Sequence, residues 1–162
     1  MASIIKTPSG TWKAIIRKRG FPTTIKTFRV KRDADDWART TEDEMVRGLY
    51  IRRQSADRMT LAQALDRYAA EVTPTKKHYT QLGERSHLAA LMKFFGAYSM
   101  SAVSPDLVAK FRDQRLADGK AANTVRLDLA LLGHLYAVAM REWGVGLVYN
   151  PVRLIRKPTP GA

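Results

Sequence analysis

Partway along this chain the apolar residues change their repeat from two to between three and four, and few folds accommodate that switch. Over residues 11–19 they alternate. Trp12, Ala14 and Ile16 fall on one face; Lys13, Ile15, Arg17 and Arg19 fall on the other. This pattern marks a strand with one buried face. Residues 4–7 read as a short strand before it, with Pro8-Ser9-Gly10 as the turn between. Gly20-Phe21-Pro22 breaks the second strand, and residues 23–30, rich in Thr, Ile, Phe and Val, read as the returning one.

From about residue 32 the repeat becomes helical. Ala34, Trp37, Ala38, Thr41 and Met45 recur at spacings of three and four through residue 47, and Gly48 suits the position just past the helix. Asp33, Asp35 and Asp36 fill the first turn, where carboxylates complement the helix dipole. The expected first unit, residues 1–49, is therefore a small three-stranded antiparallel sheet with one helix packed over Trp12, Ala14 and Ile16. Trp12, Phe28 and Trp37 are read as core. The opposite sheet face is expected to present Lys13, Arg17 and Arg19.

Residues 50–59 carry no sustained period and read as a linker. Residues 60–157 then carry four apolar stripes, which makes the chain α+β in class. Thr60-Leu61-Ala62-Gln63 matches a capping box, and Leu61, Ala64, Leu65, Tyr68 and Val72 form the first stripe, closed by Pro74. A second helix is expected over residues 82–95, with Leu88, Leu91, Met92 and Phe95 inward. Ser104-Pro105-Asp106 opens a third, which ends at Gly119. A fourth begins near Asn123 and carries Val125, Leu129, Leu132, Tyr136, Ala139 and Trp143. A short fifth helix is expected near Val152, and residues 158–162 form a Pro-rich tail.

Charge supplies the functional argument. Lys and Arg total 28 against 15 Asp and Glu, a net of +13. The excess is uneven: residues 1–32 hold nine basic side chains and no acid. Such a block favours a polyanion, and duplex DNA above all, because an uncovered sheet face can enter a major groove. The absence of cysteine excludes a disulfide framework, a Cys-based zinc site and a cysteine nucleophile. The three histidines are scattered without a carboxylate pair beside them, so no metal site is expected. The longest nearly apolar stretch, residues 129–140, is too short to span a bilayer, and no secretory signal opens the chain. A soluble, intracellular protein with no membrane partner is expected.

The candidate DNA-binding residues of the first unit are Lys13, Arg17, Arg19, Lys26 and Arg29. Those of the helical unit are Lys76 and Lys77, in the gap expected between its first two helices, and Lys120, Asn123, Thr124 and Arg126 around the start of the fourth. A helix start with Lys, Asn and Thr nearby can hold a phosphate on its free N–H groups, while Asn123 or Thr124 can also serve simply as its cap.

Assembled in order, these residues resemble the amino-terminal half of phage-type integrases of the tyrosine recombinase family. The arm-binding domain is matched by Gly10-Thr11-Trp12, Gly20, Lys26-Thr27-Phe28 and the run from Lys31 to Ala38. The core-binding domain is matched by Ala122-Asn123-Thr124-Val125-Arg126, Leu131-Leu132, Ala139, Trp143-Gly144 and Asn150-Pro151-Val152. The resemblance implies a SAM-like helical fold for the second unit, duplex DNA as partner, a tetramer for the full enzyme, and the cytoplasm of a bacterial cell carrying a prophage or mobile element.

It also implies a catalytic domain following the core-binding one. In the family a tyrosine attacks the phosphodiester without metal or nucleotide cofactor. None of the histidines here opens a His-x-x-Arg box; residues 81, 90 and 137 are Gln, Ala and Ala. The chain by itself is therefore expected to bind DNA without cleaving it, as an expressed fragment or as a naturally truncated gene. A stand-alone DNA-binding regulator of transcription or recombination is the alternative reading, and a helical protein-interaction module with incidental charge is a third.

Overall fold

The computed structural model describes residues 2–47 and 54–160, which fall into two compact units on either side of residues 48–53. In the first, strands β1 (Ala2–Lys6), β2 (Trp12–Ile16) and β3 (Thr24–Phe28) form an antiparallel sheet in the order β1-β2-β3. The first turn closes through the Thr7 and Gly10 backbones, with Gly10 at a φ of 84° that favours glycine. Helix α1 (Lys31–Val46) packs on one sheet face. Its inner residues Ala34, Ala38, Thr41 and Met45 are those the spacing predicts. Ala14 and Ile16 are fully buried beneath it. Trp12, Phe28 and Trp37 are only half-buried, so the expectation of three core aromatics is too strong. The predicted position of Gly48 past the helix lies outside the described residues.

Helices α2 (Gln54–Arg58), α3 (Leu61–Glu71), α4 (His78–Phe95), α5 (Pro105–Ala117) and α6 (Ala122–Glu142) build the second unit. Short 3-10 turns stand at Thr73–Thr75, Met100–Ala102 and Pro151–Leu154, the last where a fifth helix was expected. The Thr60 capping box is present in both directions. Helix α6 runs through the middle of the core and buries Leu129, Leu132, Leu135, Tyr136 and Ala139. Around it lie Tyr68, Leu91, Phe95, Val108 and Phe111. Phe94, Phe95 and Phe111 meet edge-on or tilted, with ring centres 4.7–5.3 Å apart.

Three sequence readings shift here. Part of the expected linker belongs to the helical unit: α2 buries Ala56, the Ser101 hydroxyl donates to Asp57 at 2.6 Å, and Met59 packs on the core. Ala56 is the one apolar residue in the sequence of α2, which leaves no period to read. Residues 50–53 of that expectation lie outside the described residues. Helix α4 starts at His78 rather than near Leu82, so only Lys76 and Lys77 lie before it. Its first turn is exposed and lacks the apolar stripe from which the start was read. Finally, α6 is capped by Ala121 with no side-chain hydrogen bond, so neither Asn123 nor Thr124 acts as its cap.

Candidate nucleic-acid interface

The strand register determines which side chains share the sheet face opposite α1. Ile5, Lys13 and Thr27 lie in one row, and Ser3, Ile15 and Ile25 in the next. Lys13 is therefore on the expected face. Arg17 and Arg19 are exposed but lie beyond the end of β2, in the turn leading to Gly20, because the ladder stops at Ile16. Lys26 pairs with Ala14 and so belongs to the helix-covered face. Its ammonium lies 5.4 Å from the Phe28 ring and 5.9 Å from Trp37. Lys6 and Lys31 approach Trp12 similarly, at 5.8 and 5.5 Å. Arg29 is exposed between β3 and α1.

In the helical unit Lys120 is exposed just before α6, and Asn123 is exposed in its first turn with Thr124 half-buried beside it. Ala121 caps this helix without a side-chain hydrogen bond, and Lys120 precedes it in the chain. Lys77 is exposed at the start of α4. Arg126, by contrast, donates to the Pro158 carbonyl at 3.1 Å and ties down the tail. Arg112 does the same at the Arg156 carbonyl, at 2.7 Å.

Lys76 also points inward. It pairs with the buried Glu84 and donates to the Tyr68 hydroxyl at 2.8 Å, while that hydroxyl meets His134 Nδ1 at 2.6 Å. Burial opposes the Lys76 charge, but the hydrogen bonds to Glu84 and Tyr68 outweigh it and hold the ammonium above the usual lysine range. Burial raises the Tyr68 hydroxyl, with the Lys76 hydrogen bond partly offsetting it. Both residues line a cavity of about 350 Å³ between α4 and α6. Tyr68 and Tyr136 are fully buried, as their apolar stripes predict.

Two features escape the sequence reading. Asp128 is wholly buried, 2.5 Å from His87 Nδ1 and accepting from Arg115 Nε at 2.9 Å, so it joins α4, α5 and α6. Its place between Val125, Leu129 and Leu132 on the inward stripe is the signal that identifies it. The second is a groove of about 680 Å³ beside α6, where His134, Arg141, Asn150, Arg153 and Lys157 meet without an acid among its lining residues. Its cations, Arg141 on α6 and Arg153 and Lys157 near the end of the chain, are separated in sequence by the segment that carries Asn150, so no single spacing brings them together. Among the described residues no group of three potential metal ligands stands together, and no helix is long and apolar enough to cross a membrane.

No known family profile matches the chain. It is 39% identical over 108 residues to the shufflon-specific DNA recombinase of Escherichia coli, covering 62% of this chain and 28% of that protein. It is 30% identical over 159 residues to a protein described as an integrase/recombinase in Haemophilus influenzae, covering 98% of this chain and 41% of that one. The chain is a homologue of integrase-type DNA recombinases. It spans less than half the length of these two relatives. Its fold agrees across 98% of its residues with lambda integrase in a dimer bound to a COC′ core site, at a TM-score of 0.60 and 20% identity. It agrees as well with lambda integrase in a tetramer bound to a Holliday junction, at a TM-score of 0.59 and 19% identity. The integrase-type α+β architecture is thus found here in the order anticipated, sheet unit first and helical unit second.

Proposed function

We propose that this chain is the DNA-binding portion of a site-specific recombinase, with two modules, the sheet unit and the helical unit that takes in α2, that together grip duplex DNA. Similarity to an integrase/recombinase across 98% of this chain carries the reading. The acid-free basic block and the sheet face opposite α1 supply its physical basis. In the first module Lys13, Arg17, Arg19 and Arg29 face the duplex. In the second, Lys77, Lys120 and the start of α6 with Asn123 and Thr124 hold phosphate. Strand cleavage belongs to a catalytic domain, and the complete recombinase works as a tetramer in the cytoplasm of its bacterial host.

A titration of the chain against duplex DNA at several salt concentrations tests this. Each phosphate contact releases counterions, so log K falls with log salt by about 0.9 per contact. Lys120→Ala is expected to flatten that slope by about one unit and to weaken all sequences alike. Unchanged affinity and slope in a folded variant would remove the phosphate role from the start of α6. A covalent adduct on a nicked duplex would overturn the division of labour between binding and cleavage.

A further inference from the structure

Within the paired strands, the sheet face opposite α1 carries one cation, Lys13, and three isoleucines. Ile5 and Ile25 keep 50% and 41% of their surface exposed, while Ile15, between their strands, keeps only 9% and serves as their backing. Ile15 and Ile25 are direct cross-strand partners, while Ile5 is one row along on the opposite strand. Lys13 stands beside Ile5, and no acid occurs in the first 32 residues. The face therefore presents methyl groups within a positive field.

We infer that this isoleucine stripe reads the C5 methyl groups of thymines in the major groove. The inference rests on the duplex-DNA reading above. The charge commits the face to a polyanion, and the only apolar group at a duplex's major-groove edge is the thymine methyl. The dimensions also agree. Diagonal neighbours in an antiparallel ladder stand about 7–8 Å apart, close to two base steps at about 3.4 Å each along a strand. Ile15 backs the stripe from the middle strand, and Ile5 and Ile25 reach beyond it on either side. Lys13 is placed to hold the adjoining phosphate or purine edge. Strand propensity alone does not require isoleucine here, since threonine is equally β-branched and occupies the neighbouring position 27.

The test uses the duplex that the whole chain selects from a random pool, with each thymine replaced in turn by deoxyuridine, which lacks only the methyl group. One or two positions are expected to lose about fourfold in affinity each, the worth of one buried methyl group. In Ile25→Ser or Ile5→Ser, which remove the side-chain methyl groups from the stripe, the matching replacement should no longer matter. Equal losses in parent and variants would overturn the inference while leaving duplex binding intact, as would a selected site without thymine. A chain that retains no duplex at low salt would overturn both this and the function proposed above. Isoleucine-dependent dimerisation in sedimentation without DNA would assign the stripe to a second copy. Isoleucine-dependent retention on phosphatidylserine vesicles, with no methyl effect on DNA, would assign it to a membrane. Either result overturns the inference. If a variant fails to fold, the deoxyuridine series on the parent protein still decides, because methyl-insensitive binding there is sufficient to refute it.

Discussion

The two units bury their aromatic rings in opposite ways. In the helical unit Phe94, Phe95 and Phe111 interlock, and Phe95 and Phe111 are shielded from solvent with Tyr68 and Tyr136. In the sheet unit Trp12, Phe28 and Trp37 lie half-buried at the rim, with Lys6, Lys26 and Lys31 close above them. The sheet unit's buried cluster is Ile16, Ala38 and Met45, whereas the helical unit's cluster runs through every helix from α2 to α6. A unit of fewer than about 60 residues folds close to the limit of what burial can support. The sheet unit is thus mostly surface carried on a thin interior, and the helical unit is an interior with a surface added.

The contrast should be easiest to see at Asp128. Asp128→Ala leaves Arg115 and His87 facing a buried void, and breaking a buried pair in this way costs about 3–5 kcal/mol. Hydrogen exchange on the whole chain should show α4, α5 and α6 losing protection together, while β1–β3 keep theirs. Equal loss in both units would mean that they fold as one. Met45→Ala should work in the other direction. Its direct cost, about 2–5 kcal/mol, is comparable to all the stability expected of so small a unit, so the sheet amides should lose protection while the α6 amides hold. Survival of the sheet would show that the rim aromatics contribute more than their burial suggests.

The smallest expected effect is alkaline. Tyr68 and Tyr136 are raised by burial, and Lys76 is raised by its partners against burial. From about pH 10 the unfolded chain gives up these protons while the folded unit still holds them. Stability then falls as pH rises, since the unfolded state binds fewer protons. Below that window the Lys76 contribution is complete. The denaturation midpoint of the helical unit should decline between pH 9 and about pH 11, and Lys76→Met should shrink the decline. A midpoint that rises would contradict the sign.

How far the sequence could be read follows from the same contrast. Periodic features were legible: the strand alternation, the α1 stripe through Ala34, Ala38 and Met45, the Thr60 cap, and the α6 stripe. Features that depend on what lies across a gap were not. Lys26 looks like any surface lysine until the register places it opposite Ala14. Lys76 and Arg126 look equally available until Glu84 and the Pro158 carbonyl take them up. The strand was legible to Ile16, but alternation runs on past the ladder, so nothing in the sequence says that Arg17 and Arg19 lie beyond its paired part. The isoleucines were visible, but nothing local says which of them a helix will cover.

A sheet of three strands has two outer strands, β1 and β3, and outer strands are where sheets of separate molecules can meet. Here β1 carries Lys6 and β3 carries Lys26, in a segment where every charge has the same sign. Two copies approaching rim to rim meet like charge, which is a common guard against strand-to-strand aggregation. The guard is also conditional. A polyanion that neutralises the block brings copies close together and removes their repulsion at the same moment. The charge that keeps free molecules apart thus makes their crowding on a polymer of opposite charge the condition under which the strand rims are exposed to one another.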